Sequence, residues 1–145
     1  MSSARPRYVS EVATAAAVSL SAFASLADAA EKMAAAGVAD VIVYDADTVR
    51  GVVTDWDIIV RAIVERRNPT KTRLGEICPR HQLTIDCSAT VTEAIALLHA
   101  RSTRRAPVIE NGRPTGIVTA AALAHARSIP ADGEDSSVRA PTALP

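Results

Sequence analysis

The apolar and polar positions of this chain follow a pattern that is written twice. Apolar residues recur at Leu26, Ala29, Ala30 and Met33, the i, i+3, i+4, i+7 stripe of an amphipathic helix, and again at Val91, Ala94, Ile95 and Leu98. Helix-start chemistry from Ser21 to Ser25 leads into the first stripe, and Gly37 is placed to end it. Residues 38–44 form a compact apolar run broken only by Asp40, which predicts a strand; Ala106-Pro107-Val108-Ile109 answers Val41-Ile42-Val43-Tyr44. A turn over residues 45–50 follows. Gly51-Val52-Val53-Thr54 then predicts a short buried strand whose threonine falls where a helix N-cap belongs, ahead of a helix through Ile58, Ile59, Ala62 and Ile63. Its second copy is Gly116-Ile117-Val118-Thr119, leading to Leu123, and both glycine and threonine recur 65 residues on (116 − 51; 119 − 54).

The register extends through the flanks. Val9-Ser10-Glu11-Val12 reads as a short helical turn, answered by Leu74-Gly75-Glu76-Ile77, and Val18-Ser19-Leu20, within a strand expected over 17–20, is answered by Leu83-Thr84-Ile85. Residues 65–73 are charged, lack apolar periodicity and contain Asn68-Pro69, the signature of a connector. The expected organisation is a mobile lead over 1–7, one repeat over 8–64, the connector, a second repeat over 74–127, and a disordered tail over 128–145 with three prolines and a small acidic cluster. The fold class is α+β: two β-α-β-β-α repeats, each leaving one sheet face uncovered. Packing them sheet to sheet with pseudo-twofold symmetry buries both faces.

Composition narrows the function classes. Formal net charge is zero and aromatics are 3%, so neither phosphate-backbone attraction nor stacking platforms favour a nucleic-acid partner. No stretch is long and apolar enough to span a membrane. Arg5, Arg7 and the Ala-rich run up to Ala27-Asp28-Ala29 have the outline of a secretory signal, but Glu11 interrupts it and the run belongs to the repeat. Two cysteines, Cys78 and Cys87, are too few for a disulfide framework, so a reduced, cytoplasmic protein is expected. His81 lies near both, yet the spacing fits no standard zinc site and a fourth ligand is not evident; buried structural thiols are the preferred reading. No Ser-His-Asp set, paired acids or Gly-rich phosphate loop stands out, so no catalysis is expected.

The repeats differ where chemistry would sit. A strand that stops at a helix N-terminus presents free N–H groups that suit an anion. The first copy adds Asp57, three residues after Thr54; the second has Ala122 there. Asp57 either accepts from ligand hydroxyls or completes the helix cap against the dipole, and the two roles are compatible. Arg101, Arg104 and Arg105 are either phosphate contacts or a solvated helix-to-strand turn. Trp56, the single tryptophan, either closes a cleft, anchors a partner or packs partly against its own chain.

Val52-Val53-Thr54-x-x-Asp57, Arg104-Arg105-Ala106-Pro107-Val108, Gly116-Ile117-Val118-Thr119 and the repeat register together resemble the cystathionine-β-synthase (CBS) domain family, and the tandem pair resembles a Bateman module. The resemblance implies a ligand-sensing module that needs no cofactor and binds an adenosyl ligand, such as AMP, ADP, ATP or S-adenosylmethionine, in clefts between the repeats. Carried over, the first cleft comprises Thr54, Asp57 and Val52, with Leu83 and Thr84 lining the base and Arg104 facing the phosphates. Asp40, the counterpart of Arg105, either meets an adenine amino group or repels phosphate. The second cleft, with Thr119, Ile117, Arg105 and Val18, lacks the ribose acceptor and is expected to be degenerate. The expectation is a regulatory module with one adenosine site, acting as a homodimer on an effector chain; the alternative is a ligand-free dimerisation or interaction module.

Overall fold

The computed structural model describes residues 5–16, 18–79 and 82–130. Two three-stranded sheets share one topology: β1 (Ser19–Ser21), β2 (Asp40–Asp45) and β3 (Thr48–Thr54), then β4 (Ile85–Asp86), β5 (Arg105–Glu110) and β6 (Arg113–Thr119). In each sheet the middle strand pairs parallel with the first and antiparallel with the third. Asp40 faces Thr54 in the first ladder and Arg105 faces Thr119 in the second, so the registers coincide at the 65-residue offset.

Helix α1 (Leu26–Ala36) begins at a capping box in which Ser25 Oγ accepts from the Asp28 N–H, while Asp28 accepts from the Ser25 N–H. It ends at Gly37 in the left-handed conformation. Helix α4 (Val91–Ala100) repeats the device with Thr90 and Glu93. Both bury the predicted stripe: Leu26, Ala29 and Met33 in α1; Val91, Ala94 and Leu98 in α4. After β3, α2 (Asp55–Ile59) continues as a π-helical turn over Val60–Val64, whereas α5 (Ala120–Ser128) after β6 is regular.

Several boundaries move. The turn expected over 45–50 contracts, because β-branched Thr48 and Val49 pair with Asp45 and Tyr44. The strand expected over 83–85 is displaced to Ile85–Asp86, since Leu83 turns into a core. The connector is fastened down: Thr72 and Pro69 carbonyls accept from the Leu26 and Ala27 N–H groups, taking two donors that the first turn of α1 cannot satisfy internally.

The leading turns are exchanged between the units. The 3-10 turn Val9–Glu11 precedes the first sheet but docks on the second. Val9 is fully buried in that core, and the Val9 and Ser10 N–H groups donate to the Ala89 and Cys87 carbonyls. Short helix α3 (Leu74–Ile77) precedes the second sheet but buries Leu74 and Ile77 in the first core. Ile42, Val52 and Ile117 form a third cluster where the sheets meet. The result is a pseudo-twofold sandwich of two sheets, each closed by the other's leader.

Candidate functional site

The residues expected to form the first cleft lie at the end of β3. Thr54 is extended and its hydroxyl accepts from the Asp57 N–H at 3.2 Å. Asp57 Oδ2 in turn accepts from the Thr54 N–H at 2.8 Å and from the Thr54 hydroxyl at 2.9 Å. This is a closed capping box, and it makes the capping role of Asp57 real. Both bonds fall on Oδ2, and Oδ1 takes part in neither. In the second unit Thr119 Oγ1 accepts from the Ala122 N–H at 3.1 Å and no carboxylate returns the bond.

Two residues that carry no repeat signal, Gln82 and Arg50, pack beside this junction. Val52 is nearly buried, and its backbone N–H and C=O meet the carboxamide of Gln82: Oε1 accepts from Val52 N–H, and Nε2 donates to the Val52 carbonyl at 3.3 Å. Gly51 makes room for that side chain, since a Cβ there would collide with it, and φ of +156° at this position also favours glycine. Arg50 donates to the carbonyls of Gly75 and Cys78, at 3.1 and 2.8 Å. Burial pushes the Cys78 thiol up to about 11; the Arg50 charge opposes this and the Asp57 carboxylate adds to it. Cys78 is therefore a neutral, unreactive thiol within the electrostatic reach of Asp57.

The remaining sequence-derived residues are distributed more widely. Leu83 is buried in the second core, and Thr84 is half-buried just ahead of β4. Arg104 is exposed in the groove between α4 and α5, with Leu98, His99 and Ala124, while its carbonyl accepts from the Ala120 N–H. Val18 lies in the first core, and Ile117 in the inter-sheet cluster. Ile117 exchanges both backbone bonds with Thr14, at 2.8 and 2.9 Å. Trp56 is 68% exposed, so partial burial against its own chain is set aside.

Asp40 pairs with Arg105 at 2.6 Å. The two residues are 65 apart (105 − 40), hence repeat counterparts, and a direct contact between counterparts places them at the pseudo-twofold axis. Identical residues there would repel or leave a gap; opposite charges fit. His81 lies outside the described residues, and among the described ones no group of three or more His, Cys, Asp or Glu is placed to hold a metal.

Two pseudo-equivalent sheet-and-helix units closing on each other, with paired strand-to-helix junctions, define a tandem two-repeat module. Residues 9–63 and 74–129 both match the CBS domain, and the chain belongs to that family. It is 34% identical over 94 residues to the uncharacterized protein YlbB of Bacillus subtilis, covering 63% of each chain. It is 31% identical over 80 residues to Hypoxic response protein 1 of Mycobacterium tuberculosis, covering 55% of this chain and 56% of that one. The matched region thus spans less than two thirds of these relatives. Among solved structures, Hypoxic Response Protein I with two coordinated zinc ions superposes with a TM-score of 0.70 at 24% identity, covering 81% of this chain and 97% of that one. The hexameric CBS-CP12 protein from bloom-forming cyanobacteria gives 0.71 at 24%, covering 94% and 77%. At this identity the structures speak for the fold.

Proposed function

We propose that this chain is a sensor that takes an adenosine-containing ligand of the AMP, ADP, ATP or S-adenosylmethionine class in its first cleft only, and passes the bound state to an effector chain. Tandem CBS modules are generally regulatory and ligand-binding. The observation that carries the narrower reading is the contrast at the two strand-to-helix junctions. Asp57 stands beside Thr54 with one carboxylate oxygen outside the capping box, whereas Ala122 leaves Thr119 without an acid. A carboxylate suits the vicinal hydroxyls of a ribose. It does not suit phosphate, and with Asp55 and Asp57 both in the first turn of α2 that terminus is a poor anion site. The two free thiols fit a reduced, cytoplasmic setting, and no helix among the described residues is long and apolar enough to cross a membrane.

A ligand-free dimerisation module is the second reading, favoured by the apolar surface of Trp56, Ile59, Ile63 and Val64, which are 45–69% exposed along α2 and its π-helical extension. Leu123, the counterpart of Ile58 on α5, is fully buried, so a homodimer would rest chiefly on the first unit. Thermal-shift measurements with AMP, ADP, ATP and S-adenosylmethionine decide between the readings. A ligand that binds only the folded chain raises the melting temperature, by mass action. No shift with any of the four, alongside a concentration-dependent dimer in sedimentation, would favour the second.

A further inference from the structure

We propose that Gln82 is an internal competitor for the first cleft: its carboxamide occupies the backbone edge of Val52 as a stand-in for the ligand's base, and that edge, once vacated, selects the base. This rests on the adenosine reading above. The N–H and C=O of Val52 lie in a nearly buried stretch of β3 and need a partner; Gln82 supplies an acceptor and a donor side by side. The second unit meets the same need differently. There the corresponding residue, Ile117, is paired by the main chain of Thr14, and a Cβ on Gly116 would come within 2.5 Å of the Thr14 carbonyl oxygen.

The two solutions have different consequences. A side-chain amide leaves by rotation about its own torsions, whereas Thr14 leaves only if its backbone peels away from β6. The first edge is therefore exchangeable and the second is closed. Any occupant that displaces Gln82 must reproduce its order, an acceptor toward the Val52 N–H and a donor toward the Val52 carbonyl. A flat ring nitrogen beside an exocyclic amino group, as in a 6-aminopurine, has that order. A 6-oxopurine held in the same orientation by its ribose has it reversed, so both bonds would be lost.

The test uses the full chain, wild type and Gln82→Ala, with Gln82→Glu as a milder variant that keeps the acceptor but cannot donate. Amide hydrogen exchange is read at Val52 and Ile117, and AMP and IMP are titrated by calorimetry. The expected result is exchange at Val52 faster by at least about tenfold in Gln82→Ala with Ile117 unchanged. AMP should bind Gln82→Ala about ten times more tightly than wild type, with Gln82→Glu between them and IMP weaker than AMP throughout. Unchanged exchange at Val52 would overturn this proposal alone. So would weaker binding of AMP to Gln82→Ala, or equal binding of AMP and IMP. Faster exchange with no binding of either nucleotide to any of the three proteins would instead overturn the adenosine reading, and with it the competitor role of Gln82.

Discussion

The two units share their strands, register, helix caps and core stripes, yet their strand-to-helix junctions are finished differently. At the first, an acid closes the cap of Thr54 and a glutamine side chain covers Val52. At the second, Ala122 leaves the cap of Thr119 open and the main chain of Thr14 covers Ile117. Duplication conserves what packs, because each core requires its stripe. It does not constrain how a junction's polar groups are satisfied, so one is finished by side chains and the other by the main chain.

The comparison can be broken at its strongest point by the exchanged leaders. Leu74 belongs to the second repeat in sequence but is fully buried in the first core. Leu74→Ala should cost about 2–5 kcal/mol in denaturant unfolding. Hydrogen exchange should then accelerate more in β2 and β3 than in β5 and β6; the opposite ranking would refute the exchange. A somewhat smaller effect is expected from Cys78. Its thiol ionises in the unfolded chain near 9.0 but in the fold near 11. Its contribution is therefore fully present below pH 9 and is lost as pH rises through 11, by about 2–3 kcal/mol. Stability measured against pH should fall more steeply in the wild type than in Cys78→Ala across that window, and parallel curves would show that the thiol is not held in its neutral form.

The caps give a direct contrast. Thr54→Val removes a hydroxyl that both accepts from the Asp57 N–H and donates to its carboxylate, and should cost about 1–2 kcal/mol. Thr119→Val removes a single acceptor and should cost about 1 kcal/mol. The smallest effect is at the pseudo-twofold axis. The Asp40 and Arg105 side chains are 25% and 35% exposed, so a double-mutant cycle should yield a coupling of only about 0.5–1 kcal/mol.

What was legible in the sequence was whatever periodicity encodes. The stripes at Leu26–Met33 and Val91–Leu98, the caps at Thr54 and Thr119, and the family itself were readable because each apolar or capping position recurs 65 residues later. What was not legible depends on the third dimension. The exchange of Val9 and Leu74 cannot be seen from register, since each leader precedes its own repeat in the chain. Gln82 was missed because its counterpart is Ala17, which offers no amide, so the repeat gave no reason to single it out. The meeting of Asp40 and Arg105 was not legible either, because only in the folded pair do equivalent positions at a pseudo-twofold axis face each other.

The central claim is one usable cleft per chain, and calorimetric titration of AMP into the wild type, Asp57→Ala and Ala122→Asp tests it most directly. The account predicts one site per chain in the wild type. Asp57→Ala should bind about ten- to a hundredfold more weakly, since a hydrogen bond to a charged group contributes roughly 1.5–3 kcal/mol. Ala122→Asp should leave the first site unaltered. Two equal sites in the wild type, or an affinity that Asp57→Ala does not change, would contradict it.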